Sequence, residues 1–321
     1  MTWTKKLTWI KKTDLSYPGF SRHRCSMRQR QNLPGYLFSL PALAFMVVFV
    51  GYPIVNNFIL SFQNVNVMTF ALPEHPWVGW DTYSTLLADP LTWTALSNTT
   101  IFTVVCIVVQ FTLGFLLALL FQKKFFASQA IRGLLVITWM LPITITALVF
   151  KFMLSPGDGV FDYILIQLGI LSKPVGWLIN PQTALIGVIV TNIWVGIPFN
   201  MIILSTALST VPEQLYESAK VDGASAFQTF LAVTLPYLKS AILSVLVLGL
   251  IYTFKVFELI FVMTNGGPVN STEVLSTVSY KHSFVEYNFS AGAATANILF
   301  LILLAISLGY LNQVRKEETS R

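Results

Sequence analysis

Residues 213–242 read EQLYESAKVDGASAFQTFLAVTLPYLKSAI, an ordered run of charge set between long apolar stretches. Glu213, Glu217, Lys220, Asp222 and Lys239 all fall within it. Pro212 suits a helix start, where a missing N–H costs nothing, and Glu213 then meets the positive end of the helix dipole. Gly223 admits the backbone of a sharp turn, and Ser225 opens a second helix. Leu215 and Ala219 share a face at i and i+4, and Ala226, Phe227, Phe230 and Leu231 continue it. The segment reads as a small helix-turn-helix, partly charged and partly apolar, of a kind that docks on another protein. A loop buried against its own helices would explain the apolar face but leave the charges unused.

Outward from this segment the chain is oily. Its 321 residues are 55% hydrophobic and 11% charged, with a mean hydropathy of +0.68, a composition that excludes a soluble globular domain. A spanning helix needs about 20 apolar residues to cross roughly 30 Å of hydrocarbon. Six runs qualify, near 37–61, 99–121, 132–154, 183–208, 241–263 and 291–313, so the expected fold is all-α, a polytopic membrane protein with six transmembrane helices. Ala42-Leu43-Ala44 has the form of a cleavage site but stands at the start of its apolar run, which predicts an uncleaved span. Lys and Arg in alternate connections total 16 against 2, placing both termini and the 213–242 segment in the cytoplasm. The net charge of +6 is thereby a matter of topology, and nucleic acid is not an expected partner; the lipid bilayer is.

The expected organisation is a basic cytoplasmic segment (1–33), a first span with its external loop (34–98), a five-helix core (99–313) containing a cytoplasmic loop at 212–240, and a cytoplasmic tail (314–321). Trp3, Leu7 and Ile10, at helical spacing among lysines, suit either a helix on an anionic membrane surface or a basic tail that fixes topology. Met27 offers a second start. Cys25 and Cys106 form no disulfide framework.

Ionisable residues inside spans carry the next signal. Lys255 and Glu258 are spaced i and i+3 in YTFKVFELIFVMT, where they can pair on one face of the fifth helix or line a water-filled path. Counted from Thr264, Lys255 lies roughly 13 Å in, too deep to reach the interface alone. Asn192, Asn200 and Asn297 suit interhelical hydrogen bonds, with Asn200 also a pathway candidate. Gly51-Tyr52-Pro53, Pro142, Gly196 and Pro198 interrupt spans and serve either to kink them or to pack them. His23, His75 and His282 divide between the two sides of the membrane, and neither a G-x-x-x-x-G-K-[ST] loop nor H-E-x-x-H occurs. An enzyme is not expected, so energy must come from another subunit or from an ion gradient.

Glu217-Ser218-Ala219, three residues, Gly223, nine residues, Val233, one residue and Leu235-Pro236 together resemble the E-A-A-x3-G-x9-I-x-L-P loop of membrane subunits of binding-protein-dependent ABC importers. Ser218 replaces Ala, Val233 replaces Ile, and Ser240 stands where relatives often carry Pro. VGWDTY (78–83), NIWVGIPFNMIILSTALSTVP (192–212), FKVFELIFVMTNGGPVNSTEVLS (254–276) and AGAATANILFLI (291–302) are similar to the sugar-uptake branch containing the maltose and glycerol-3-phosphate permeases. Relatives commonly have Asp at the position of Glu258.

The resemblance implies a type I importer subunit that pairs with a second homologous permease, two cytoplasmic ATPases and an extracytoplasmic sugar-binding protein. It also implies that no cofactor binds this chain, ATP and Mg residing on the ATPases. Glu217, Ser218, Ala219, Asp222, Gly223, Leu235 and Pro236 would then form the ATPase-docking helix pair, with Lys255, Glu258 and Asn200 along the pathway. A polyol or glycerol-3-phosphate importer, or a gradient-driven transporter acting alone, are the alternatives.

Overall fold

The computed structural model describes residues 37–123 and 125–319, with side chains as far as Val314; the basic segment 1–33 and the choice of start lie outside these residues. Two compact units divide it, Met1–Asn56 and Asn57–Arg321. In the first, the described residues belong to an apolar helix, with the Phe45 and Phe49 rings 4.6 Å apart one turn along.

The described residues are helical apart from short connections and two isolated β-bridges. The helices are α1 (Leu37–Ser61), α2 (Asp81–Ala88), α3 (Pro90–Gln122), α4 (Ser128–Met140), α5 (Ile143–Met153) and α6 (Val160–Gln167). After these come α7 (Ala184–Ser209), α8 (Glu213–Val221), α9 (Ala226–Phe254), α10 (Glu258–Met263), α11 (Leu275–Tyr280) and α12 (Phe289–Thr319). Five of them, α1, α3, α7, α9 and the Phe289–Val314 part of α12, are long and apolar enough to cross a membrane; α4 and α5 pass the same test only taken together, and counting that bent pair as one span gives six.

Three spans differ from their sequence reading. The third is broken: Leu141 and Pro142 are both extended, and α4 and α5 meet at 103°. A residue preceding proline is driven out of the helical region, so the α4 ladder ends before Pro142. The fifth is not 241–263. It starts at Ala226, ends at Phe254, and resumes after a break as the short α10. The second span also begins earlier than expected, because Asp89 caps Leu91 N–H at 2.9 Å with Pro90 at the first helical position.

Elsewhere proline is absorbed. Val47–Gly51 and Phe230–Thr234 are π turns, each two residues ahead of Pro53 and Pro236. The wider i→i−5 turn relieves the carbonyl that a proline ring would strike, so α1 and α9 continue through.

Packing centres on α3 against α7. Two glycines permit the approach: a Cβ on Gly114 would lie 2.5 Å from Asn200 Cβ, and one on Gly196 would lie 2.3 Å from Gln110 Cδ. One buried cluster joins Phe102, Cys106, Phe150, Val188, Leu259 and Met263; a second joins Ala118, Leu204, Leu208, Leu238 and Val245. Asn297 makes the interhelical bonds its position suggests, accepting from Asn57 Nδ2 at 2.7 Å and donating to Ser61 Oγ at 3.0 Å and Tyr83 OH at 3.1 Å.

Candidate functional site

A cavity of about 330 Å³ opens where α3, α4, α7 and α9 meet. Three amides line it: Gln110, Asn192 and Asn200. Gln110 reaches across to α7, its Nε2 donating to the Asn192 carbonyl at 2.7 Å, and Asn200 Nδ2 donates to the Gly196 carbonyl at 2.8 Å. The glycines that bring α3 and α7 together thus also set these amides in place. Aromatic rings line the cavity as well, with Trp139 and Phe199 centroids 6.0 Å apart and Phe199 and Tyr252 edge to face at 6.4 Å. No charged residue lines the cavity among those described. Such a lining offers hydrogen-bond donors and acceptors together with flat apolar faces.

Of the expected pathway residues, Asn200 is in this cavity and the other two are beside it. Lys255 and Glu258 do not pair, which corrects the reading of one continuous helix. Lys255 is the non-helical residue ending α9 (φ −93°, ψ 14°), and its Nζ lies 5.2 Å over the Tyr252 ring. Glu258 is the first residue of α10 and accepts a hydrogen bond from Thr144 Oγ1 in the first turn of α5. Each charge therefore sits at the helix end whose dipole favours it, the cation at a C-terminus and the carboxylate by two N-termini. The break between them borders the cavity through Thr253 and Val256, where irregular backbone in a membrane protein is tolerated. Ser276 Oγ donates to the Val256 carbonyl that the break frees.

Gln110, Trp139, Phe199 and Tyr252 were not singled out from sequence. Gln110 carried a usable signal, being an amide inside an apolar span like the three asparagines. The aromatic residues carried none, since only the fold separates them from the other rings of a chain with 25 Phe, 11 Tyr and 8 Trp.

The 213–240 segment forms the expected pair of helices. Gly223 has φ +72°, its N–H bonds Lys220 O at 3.1 Å, and Ala224 N–H bonds Ala219 O at 2.9 Å, a left-handed helix stop. Ser225 and Gln228 cap the next helix reciprocally, at 2.8 and 3.3 Å. Glu217, Ser218, Asp222 and Gly223 are exposed, Ala219 is partly so, and Val221 (87%) and Phe227 (69%) stand uncovered beside them. The inner side is tied down: Tyr216 OH is 3.3 Å from Thr234 Oγ1, Tyr237 OH donates to Thr210 O at 3.2 Å, and Tyr216 and Val233 pack on Leu208, Val211 and Leu238. Leu235 and Pro236 follow the π turn inside α9 itself.

Apolar helices long enough to cross a membrane, a polar cavity where α3, α4, α7 and α9 meet, and an exposed, charged helix pair mark a helical membrane-transport subunit. Residues 110–315 match the family described as binding-protein-dependent transport system inner membrane component, and the chain belongs to that family. It is 32% identical over 311 residues to the diacetylchitobiose uptake system permease protein DasB of Streptomyces coelicolor, covering 96% of this chain and 94% of that one. It is 31% identical over 288 residues to the trehalose/maltose transport system permease protein MalF of Thermococcus litoralis, covering 89% and 95%. Among solved structures it resembles a chain of a bacterial ABC transporter involved in the import of the acidic polysaccharide alginate, with a TM-score of 0.75, 25% identity, and coverage of 91% and 99%.

Proposed function

We propose that this chain is the permease subunit of an ATP-driven importer that passes a neutral mono- or oligosaccharide, delivered by an extracytoplasmic binding protein, across the cytoplasmic membrane. The observation that carries this reading is the cavity: three amides together with Trp139, Phe199 and Tyr252, and no charged lining residue among those described. Sugars present hydroxyls that satisfy amides in pairs and apolar ring faces that pack on aromatic rings. A phosphorylated polyol would call for a cation inside the cavity, and Lys255 stands at its edge over Tyr252. The relatives named for diacetylchitobiose and for trehalose and maltose support the carbohydrate class.

In this reading the α8 end faces the cytoplasm, as the 16-to-2 distribution of Lys and Arg favours. A second homologous permease completes the pathway, and two ATPases hold the ATP and Mg. Glu217, Ser218, Ala219, Asp222 and Gly223 meet an ATPase, and the neighbouring Val221 and Phe227 become covered there. Because Tyr216 binds α8 to α9 and Tyr237 binds α9 to the end of α7, displacement of α8 is passed to both helices. These two helices carry Tyr252, Phe199 and Asn200 into the cavity, so the same movement reshapes the binding walls.

Proteoliposomes containing both permeases, the ATPases and the binding protein provide the test. Glu217→Arg should abolish sugar uptake and ATPase co-purification while membrane insertion persists, because a charge-assisted contact becomes a repulsion. Uptake by the isolated chain without any ATPase would overturn the reading in favour of a gradient-driven transporter.

A further inference from the structure

A second cavity, of about 320 Å³, lies at the level of α2 and the start of α12, far along the chain from the amide-lined one. Its lining includes Asp81, Asp89, Glu286, His282, Asn64 and Asn288, and no Lys or Arg among the described residues. Lys281, adjacent in sequence, is engaged with the buried Glu273. His282 is only 8% exposed; its Nδ1 is 2.6 Å from Glu286 Oε2, and its Nε2 has no hydrogen-bond partner among the described residues. Three carboxylates line the cavity without a Lys or Arg among the described residues, and the buried imidazole keeps one nitrogen without a partner.

Its size and spread decide what fits. Among the described residues no three His, Cys, Asp or Glu side chains are grouped to share a metal ion. A volume of about 320 Å³ is also roughly ten times the share of one water in the liquid. A group with several donors on a long stem matches better, namely a guanidinium or ammonium side chain.

We propose that this cavity is a socket for a Lys or Arg side chain of the extracytoplasmic binding protein. The inference rests on the importer reading above, which puts the 62–98 and 264–290 connections on the extracytoplasmic side. Membership of a family that depends on a binding protein supplies the partner, and charge complementarity supplies the contact. Asp81 and Glu286 are exposed and ready to meet a protein, whereas Asp89 also caps α3.

The test uses the complete importer in lipid nanodiscs with its cognate binding protein, reading the binding-protein concentration that half-saturates ATPase stimulation. At low salt, Asp81→Asn with Glu286→Gln should raise that concentration about tenfold, and the gap from wild type should close at high salt, as for a screened contact between charges. Unstimulated ATPase should be unchanged. L-arginine hydrochloride should raise the wild-type value more than sodium chloride of equal ionic strength does, and should treat the double variant like sodium chloride. An unchanged value at low salt, or an equal rise at every salt concentration, overturns the socket. Failure of the importer reading looks different, because then the wild type shows no stimulation at all.

Discussion

Gly223 is where a single residue decides the shape of the 213–240 segment. Its φ of +72° belongs to the left-handed region, and a Cβ there meets nothing within 4 Å, so any penalty is conformational. Gly223→Ala should cost about 1 kcal/mol locally, seen as roughly fivefold faster amide exchange in α8, with the spans untouched. Gln110 is a second such position. Gln110→Leu removes an amide from the cavity and its bond to Asn192 O, and should raise the sugar concentration for half-maximal uptake about tenfold with little change in assembly. Lys281 is a third. Its ammonium faces the fully buried Glu273, which also accepts from Thr277 Oγ1 at 2.5 Å. Lys281→Met strands that carboxylate and should lower stability by about 3 kcal/mol, measured by thermal unfolding in detergent.

At the scale of elements, the interrupted helices separate what the sequence reveals from what it conceals. The caps were legible: Pro212, Gly223 and Ser225 each act locally, and each is found in the role its chemistry dictates. The break after Phe254 was not, because FKVFELIFVM contains neither Pro nor Gly and reads as uninterrupted helix. Its cause is tertiary, through Ser276 on the Val256 carbonyl and Thr144 on Glu258. The separation of Lys255 from Glu258 makes a quantitative claim. In a double-mutant cycle of Lys255→Met and Glu258→Gln, the coupling energy should stay below about 0.5 kcal/mol, whereas a true ion pair would exceed it. The α3–α7 crossing makes another. Gly114→Val must push against Asn200 Cβ, so helix separation should follow, costing about 1–3 kcal/mol and weakening uptake.

For the molecule as a whole, hydropathy alone located the membrane-crossing regions, since length and composition suffice where no water can satisfy a backbone. The cavity was beyond its reach. Gln110, Trp139, Asn200 and Tyr252 lie on different helices, and only the packed bundle brings them to one place. The bend in the third span leaves two short helices in place of one long one. α4 has 13 residues and α5 has 11, giving rods of about 20 and 16 Å, each far short of the hydrocarbon thickness. Neither half can partition into lipid as an independent stop-transfer unit at right angles to the other. The two halves are held by protein instead, α4 against α7 and α5 against α10, so this part of the molecule owes its place to its neighbours more than to lipid.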